Sequence, residues 1–207
     1  TGSEPGRIPE PADLPDIAVP NHTDPETVQP YDRDPDTLAR PWAVPGTPGM
    51  EHRIGGLEKL DVLGTVSYDA DNHQRMTDLR ASKIAGIADD IPDLEVHGPD
   101  TGDLLILGWG STYGALRTAT ERLQRAGHAV AHAQLRHLNP FPRNTGDVLA
   151  SYKRVLIPEI NTGQLRLLIR GRYLVDAVGL NRVRGKPFPV PEVMRAARLL
   201  LDEEEDQ

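Results

Sequence analysis

The sequence predicts an α/β fold: a mainly parallel β-sheet with helices on both faces, preceded by a proline-rich extended arm. Two observations lead to this prediction. From residue 103 onward, apolar runs of strand length alternate with amphipathic segments of helix length, joined by short connections. That alternation is typical of βαβ units, which bring consecutive strands into a parallel sheet. Before residue 50 prolines are frequent, and proline removes backbone donors and keeps the preceding residue out of the helical conformation.

Composition divides the chain into three parts: an arm over residues 1–50, a segment of connecting loops and one helix over 51–102, and the α/β domain over 103–207. The arm shows neither helical nor strand periodicity, so it cannot build a core of its own. It nevertheless carries Trp42 and Val44, whose apolar side chains favour burial. We therefore expect the arm to lie on a partner or on another domain.

The helix of the connecting segment is predicted over residues 69–91. Asp71 or Asn72 is placed to cap its amino terminus. Its apolar residues recur at roughly helical spacing and form one face: Met76, Leu79, Ile84, Ile87 and Ile91. The residues before this helix are expected to form irregular loops or a weak hairpin.

The first strand of the α/β domain is predicted at residues 104–108, because LLILG is a continuous apolar run of the kind that is covered on both faces of a sheet. A helix is predicted over residues 111–127, and Gly127 suits the left-handed conformation that ends many helices. Its apolar residues share one helical face: Leu116, Ala119, Leu123 and Ala126.

The remaining segments repeat this alternation. Strands are predicted at 128–135, 154–160 and 174–181, and helices at 144–152, at 161–173 and from Pro191 onward. In parallel sheets of this kind, ligands and partners bind beyond the carboxyl ends of the strands. Those ends carry the sequences GWGST, LRHLNPFP, PEINTGQ and LNRVRGKPF.

Charge and composition exclude several classes of function. Asp and Glu number 31 against 23 Lys and Arg, a net charge of −8, which argues against a groove for nucleic acid. A chain without cysteine cannot supply thiolates to zinc or to an iron–sulfur cluster. The seven histidines are scattered, and we expect no metal site. No apolar run approaches the roughly 20 residues of a membrane helix, and there is no signal peptide, so we expect a soluble cytoplasmic protein without membrane contact.

Three glycines follow the first predicted strand in LLILGWGSTYG, at positions 108, 110 and 114. A dinucleotide site would need closer spacing of the last two and an acidic residue near the end of the second strand, where AHAQLRHL has none. A nucleophile elbow at Ser111 would need glycines at positions 109 and 113, which are Trp and Tyr. We therefore expect a tight strand-to-helix turn capped by Ser111 or Thr112, whose free amides could receive an anion.

Two later loops each allow two interpretations. Phe141 lies between prolines in RHLNPFP, where it is either pre-organised for contact with another domain or packed in the core. In PEINTGQL, Asn161 and Gln164 either form a capping box or join Glu159 in a polar site. The residues leave both pairs of alternatives open.

Long stretches of the chain resemble the C-terminal part of the α subunit of 2-oxoacid:ferredoxin oxidoreductases, most closely the 2-oxoglutarate type. The similar segments are LLILGWGSTYGALRTATERL, AVAHAQLRHLNPFPRNTGDVLASYKRVLIPEINTGQLRLLIRGRYLVD and VRGKPF. DPDTLARPWAVPGTPGMEHRIGGLEK resembles the segment that joins the pyrimidine-binding domain of that subunit to its C-terminal domain. The resemblance covers roughly residues 30–188 and implies a transketolase C-terminal-like fold for the α/β domain.

The resemblance implies part of a thiamine-diphosphate-dependent oxidoreductase. Enzymes of this family decarboxylate a 2-oxoacid on thiamine diphosphate, pass two electrons one at a time through a 4Fe-4S cluster to ferredoxin, and transfer the acyl group to coenzyme A. The implied partners are the remainder of the α subunit, the β subunit and ferredoxin, in an (αβ)2 heteromer. Other domains and chains are implied to hold thiamine diphosphate, Mg²⁺ and the cluster, so we expect this chain alone to bind none of them.

The chain departs from a complete α subunit, because the γ-like domain and nearly all of the pyrimidine-binding domain have no counterpart in it. It begins with Thr1, so we expect a processed chain or a fragment that is inactive alone. No catalytic residue is predicted. The predicted role is that of a scaffold and interface domain that shapes access for substrate or coenzyme A through Trp109, Gly110, Ser111, Thr112, Asn139, Phe141, Asn161 and Gln164.

The alternative is a stand-alone α/β interaction module without catalysis, whose proline-rich arm serves as a docking strap. Such a module would purify as a colourless lone protein. The enzyme part would instead co-purify with cysteine-bearing chains and with the brown colour of an iron–sulfur cluster.

Overall fold

The computed structural model describes residues 8–16 and 21–202, which form two compact units that divide between Asp90 and Ile91. The three segments inferred from composition (1–50, 51–102 and 103–207) stay a prediction. Among the described residues, no helix is both long enough and apolar enough to cross a membrane.

The first unit is mostly irregular before its helix. Strand β1 (Asn21–His22) pairs in parallel with strand β2 (Trp42–Ala43), and each is two residues long. Trp42, whose side chain favours burial, is 67% exposed. Its burial by a partner or by another domain therefore stays a prediction.

Helix α1 (Ala70–Gly86) and the 3-10 turn that follows it confirm the helix predicted in the connecting segment. The predicted cap was wrong, because the carboxylate of Asp69 accepts the N–H of Asn72 at 2.7 Å. Asn72 is instead buried, and its amide donates to the backbone carbonyl of Lys59 at 2.9 Å. A buried Asn in the first turn thus anchors α1 to the preceding loop, a role that a sequence pattern does not distinguish from capping.

The second unit is built on a five-stranded sheet in the spatial order β3-β5-β4-β6-β7. The strands are β3 (Val96–His97), β4 (Gly102–Trp109), β5 (Val130–Leu135), β6 (Tyr152–Glu159) and β7 (Val178–Asn181). β4 is central and parallel to both β5 and β6, β7 is parallel to β6, and β3 is antiparallel to β5. The α/β fold with a mainly parallel sheet is confirmed. The two-residue edge strand β3 was not predicted, because it is too short to show a period.

Helices α2 (Tyr113–Arg125), α3 (Thr145–Ala150), α4 (Gln164–Tyr173) and α5 (Val190–Asp202) cover both faces of the sheet. Residues of β4 alternate between the faces. Leu105 and Leu107 pack in one cluster with side chains of α3 and α4, whereas Leu104 and Ile106 pack with α2 and α5. All four are fully buried, which explains why the LLIL run contains no polar residue.

The helix predicted over 144–152 ends earlier than expected, and Tyr152 begins β6. The Tyr152 side chain is buried, and its hydroxyl donates to the backbone carbonyl of Pro99 at 2.6 Å. Burial raises the pKa of Tyr152 to about 12. Tyr152 would be buried whether it ended α3 or began β6. Its apolar character therefore could not show where the helix ends and the strand begins.

One titratable side chain is enclosed between the sheet and α2. His132 on β5 is 2% exposed, and its ring lies against that of Tyr113 with centroids 5.5 Å apart. Among the described residues, no hydrogen-bond partner reaches its Nε2. Burial lowers the pKa of His132 to about 4, and the nearby charges of Arg117 and His97 act in the same direction. His132 is therefore neutral in the folded chain at neutral pH.

We predict that His132 makes the folded chain less stable in acid. In the unfolded chain its pKa returns to about 6.5, so between that value and about 4 the unfolded state binds a proton that the folded state does not. The free energy of unfolding therefore falls as the pH is lowered through this window, by about 3 kcal/mol in total. Urea unfolding at a series of pH values should show the slope in the wild type and a much smaller slope in His132→Phe.

The exposed His137 provides the matched control, since His137→Phe should keep the wild-type slope. If wild type and His132→Phe lose stability equally between pH 7 and 4, the buried neutral histidine is not the cause of the acid sensitivity.

Candidate functional site at the carboxyl ends of the strands

The buried carboxylate of Glu159 lies where β6 ends, and none of this residue is exposed. Its Oε1 accepts the N–H of Leu165 at 2.8 Å, the side-chain amide of Asn161 at 3.1 Å and the indole N–H of Trp109 at 3.2 Å. Its Oε2 accepts the N–H of Arg166 at 3.1 Å. Leu165 and Arg166 belong to the first turn of α4, so the carboxylate caps that helix and lies at the positive end of its dipole.

These hydrogen bonds explain how a carboxylate is accommodated in the core. Burial of a charge is costly unless hydrogen bonds replace its water, and bonds to an ionised acceptor are stronger than neutral ones. The bonds also join three elements, because Trp109 ends the central strand β4, Glu159 ends the neighbouring β6 and the two amides begin α4. Glu159 therefore holds the ends of two strands and one helix in a fixed arrangement.

Asn161 organises the turn between β6 and α4. Its Oδ1 accepts the N–H groups of Gly163 at 2.7 Å and of Gln164 at 3.1 Å. Gly163 has φ 97°, in the region that favours glycine, and a Cβ there would lie 3.0 Å from the amide nitrogen of Asn181. Because α4 begins at Gln164, the capping box with Gln164 in the third helical position does not form. The polar interpretation of this loop is found for Asn161, which joins Glu159, whereas Gln164 contributes only its backbone N–H to Asn161 and is exposed.

The glycines after β4 serve packing and turn geometry. A Cβ on Gly108 would lie 2.4 Å from Oε1 of Gln134 and 2.6 Å from Cδ1 of Leu116, so α2 can approach the strand only at a glycine. Gly110 has φ 60°, which a tight turn requires here. The buried Thr112 donates its hydroxyl to the carbonyl of Trp109 at 2.9 Å. The predicted capping chemistry was therefore wrong, because the hydroxyl serves a carbonyl rather than a free amide.

Phe141 packs in the core and does not face outward. It is 4% exposed, and its ring meets that of Tyr173 edge-on with centroids 5.8 Å apart. The guanidinium carbon of Arg172 lies 5.7 Å from the ring centre. The flanking prolines stiffen the loop but carry no information on the direction of the ring. Of the two interpretations, core packing is correct, and a buried ring has no surface to offer another domain.

The structure brings together only some of the residues selected from the sequence. Trp109 and Asn161 meet at Glu159, while Thr112 and Phe141 are buried in separate contacts. The exposed ones are Gly110, Ser111, Asn139 and Gln164. Glu159, which the sequence placed beside Asn161 and Gln164 as one of two interpretations, is the centre of the cluster. Its contact with Trp109 was not predicted.

This cluster positions a charge and leaves no reactive group free. Glu159 accepts four hydrogen bonds and none of it is exposed, so its carboxylate is enclosed by the chain and faces no solvent-accessible substrate site. In the part of the chain that the structure describes, no three His, Asp or Glu side chains are grouped to hold a metal ion, and the sequence has no cysteine. Without thiolates, the residues present do not fit a 4Fe-4S cluster.

Replacement of Glu159 by Gln should destabilise the chain. Glutamine has an NH2 group in place of one carboxylate oxygen, and this group would face N–H donors instead of accepting their hydrogen bonds. We therefore expect the free energy of unfolding to fall by about 2–4 kcal/mol. Trp109→Phe removes a single donor and should cost about 1 kcal/mol. Urea unfolding of both variants measures the difference. Equal stability of Glu159→Gln and the wild type would show that the carboxylate does not hold the strand ends together.

Phe141→Ala should lower the free energy of unfolding by about 3–5 kcal/mol, because it empties a buried aromatic site. The matched control is Gln164→Ala, since Gln164 is exposed and should change stability by less than about 0.5 kcal/mol. Thermal or urea unfolding of the two variants tests this. If Phe141→Ala is as stable as the control, the Phe141 ring does not stabilise the core, and core packing is the wrong interpretation.

Comparison with known proteins gives a consistent set of relatives, although no family model matches the chain. The 2-oxoglutarate oxidoreductase subunit KorA of Mycobacterium tuberculosis is 51% identical over 202 residues, which are 97% of this chain and 30% of that protein. The α subunit of 2-oxoacid:ferredoxin oxidoreductase 2 of Aeropyrum pernix is 30% identical over 160 residues, which are 74% of this chain and 25% of that protein.

A solved structure extends the match to three dimensions. The 2-oxoglutarate:ferredoxin oxidoreductase of Magnetococcus marinus superposes with a TM-score of 0.84 at 29% identity, over 93% of this chain and 34% of that one. The chain therefore spans between a quarter and about a third of the length of these proteins. As its sequence resemblance predicted, the chain belongs to the family of 2-oxoacid:ferredoxin oxidoreductase α subunits, and it corresponds to a part of one.

Proposed function

We propose that the chain braces a thiamine-diphosphate-dependent 2-oxoglutarate:ferredoxin oxidoreductase as part of its α subunit. In the proposed reaction, 2-oxoglutarate, coenzyme A and two oxidised ferredoxins give succinyl-CoA, CO2, a proton and two reduced ferredoxins. The carbon–carbon bond to the carboxylate breaks, the thiol of coenzyme A takes the acyl group, and the electron pair leaves in two single-electron steps.

The 51% identity along 97% of the chain is the observation that carries this proposal. The relative concerned is named as a 2-oxoglutarate oxidoreductase subunit, and the structurally similar Magnetococcus enzyme holds 2-oxoglutarate, coenzyme A and succinyl-CoA. Both observations favour 2-oxoglutarate over other 2-oxoacids as the substrate, and coenzyme A as the acyl acceptor.

Within this enzyme, the chain acts as a scaffold and interface domain. The buried Glu159 supports this role, because it joins the ends of β4 and β6 to α4 and presents no exposed acid or base. Thiamine diphosphate, Mg²⁺ and the 4Fe-4S cluster are held by the remainder of the α subunit and by the β subunit, in a cytoplasmic (αβ)2 heteromer that reduces ferredoxin. The absence of cysteine supports this division for the cluster, since its ligands are thiolates.

Affinity purification from the native source tests the proposal. We expect cysteine-bearing chains to co-purify, with iron–sulfur absorption and with ferredoxin reduction that requires both 2-oxoglutarate and coenzyme A. The 207-residue chain alone should be colourless and inactive. A lone colourless protein from the native source would instead support the stand-alone interaction module, and a preference for pyruvate would overturn the choice of substrate.

The interface role of the exposed turns can be tested separately. Ser111→Arg and Gln164→Arg each place a long cation on an exposed turn, so they should leave the folding of the chain unchanged. If those turns are buried in the assembly, each change should weaken association with the co-purifying chains by at least roughly tenfold, or about 1.4 kcal/mol. Quantitative pull-down measures this loss. The matched control is Arg122→Ala on the exposed surface of α2, and equal recovery of all three proteins would remove these turns from the interface.

A further inference from the structure

The outer face of helix α5 combines cationic and apolar side chains. The helix packs its buried face against α2 and β4, through Val193 and Ala197. Its opposite face carries exposed residues that are three or four positions apart and so lie side by side: Pro191, Arg195, Arg198, Leu199 and Asp202. Leu199 is 62% exposed, which is unusual for a large apolar side chain on a folded domain. These five residues form the outer stripe of α5.

The two arginines of the outer stripe carry unpaired charges. In the part of the chain that the structure describes, neither Arg195 nor Arg198 forms a salt bridge, whereas Arg182 pairs with Glu192 in the first turn of the helix. Asp202 is four positions after Arg198, but a cation that precedes an anion at this spacing is the weaker order in a helix. Both guanidinium groups are therefore available at the surface to carboxylates of another molecule.

An acidic run follows the outer stripe directly. Residues 202–206 are five consecutive Asp and Glu, and Asp202 is the last residue of α5. The helix dipole is negative at that end, so carboxylates there are unfavourable unless cations lie close to them. Among the described residues, no cation pairs with Asp202. One helix thus carries a basic stripe and, immediately after it, an acidic run that needs counter-charges.

Two copies of α5 complement each other when they are antiparallel. In a parallel pair, arginines would face arginines and each acidic run would face the other, which is repulsive. In an antiparallel pair with a two-fold axis near Leu199, Arg195 and Arg198 of each copy lie opposite the acidic run of the other. Because the axis repeats every contact, the opposite charges meet twice. The two Leu199 side chains meet at the axis and remove from water an apolar surface that a single copy leaves exposed.

We propose that the outer stripe of α5 is a self-association surface, and that it binds the acidic run 202–206 of a second copy of this chain. The contact involves one 13-residue helix from each copy, which is at the small end of specific interfaces. Exposed charge pairs are individually weak and are screened by salt. The dimer therefore dissociates on dilution and in high salt. This property belongs to the surface of the chain and does not depend on the proposed reaction.

Sedimentation equilibrium of the 207-residue chain, from micromolar to millimolar concentration, tests the proposal. At low salt we expect a reversible monomer–dimer equilibrium. At about 1 M salt, where charges more than about 3 Å apart are screened, the dissociation constant should rise by roughly tenfold or more. Leu199→Ser removes the apolar contact at the axis and should also raise the dissociation constant by roughly tenfold.

Reversal of the charges identifies the surface. An arginine-reversed chain carries Arg195→Glu and Arg198→Glu, and an acid-reversed chain carries Asp202→Lys, Glu203→Lys and Glu205→Lys. Each alone should be monomeric, because like charges then face each other. An equimolar mixture should form a dimer again, since both halves of the mixed contact pair opposite charges.

The matched control is Arg122→Glu, which makes the same change of charge at an exposed arginine of α2 and should keep the wild-type dissociation constant. Circular dichroism should show that every variant is folded, and if a reversed chain is not, Leu199→Ser decides the outcome. A wild-type chain that stays monomeric at low salt overturns the proposal. So does a mixture of reversed chains that stays monomeric, as it would if the acidic run paired with the arginines of its own copy, or a dimer that persists in the arginine-reversed chain.

Discussion

The carboxylate of Glu159 is the contact on which the geometry of the strand ends depends. It is a buried charge that is stabilised by hydrogen bonds from two amides of α4, one indole and one side-chain amide. Since removal of any donor leaves part of the charge uncompensated, the positions of Trp109, Asn161 and the first turn of α4 are mutually constrained. The edge of the sheet where ligands and partners usually bind is therefore held together by this one carboxylate.

Close packing determines which residues lie between the sheet and the helices on its two faces. β4 is covered on both faces, so its side chains are apolar without alternation, and Gly108 is the position at which α2 comes closest. His132 is enclosed on the α2 side in its neutral form, and burial keeps it neutral down to a pKa of about 4. The core thus tolerates polar groups in two ways: as a fully hydrogen-bonded anion in Glu159 and as a neutral base in His132.

The two units treat charge differently. In the second unit the buried carboxylate is satisfied by donors from the chain itself. In the first unit the buried ammonium of Lys59 has backbone carbonyls but no counter-charge among the described residues. Both charges are held by polar groups of the chain itself, the carboxylate by four N–H donors and the ammonium by two backbone carbonyls, so each stabilises the packing of its own unit.

Local pattern was sufficient to predict strands β4 to β7, helices α1, α2, α4 and α5 and the left-handed Gly127, which has φ 94°. Helical and strand periods are properties of neighbouring residues, so they can be read without knowing the fold. The Glu159 cluster could not be predicted in the same way, because Trp109 and Glu159 are 50 residues apart and meet only through the register of two parallel strands. The inward direction of Phe141 and the burial of Lys59 likewise depend on packing between distant segments. Local sequence patterns therefore indicated the fold class, the resemblance of long segments indicated the family, and long-range packing decided which polar residues carry a charge in the interior.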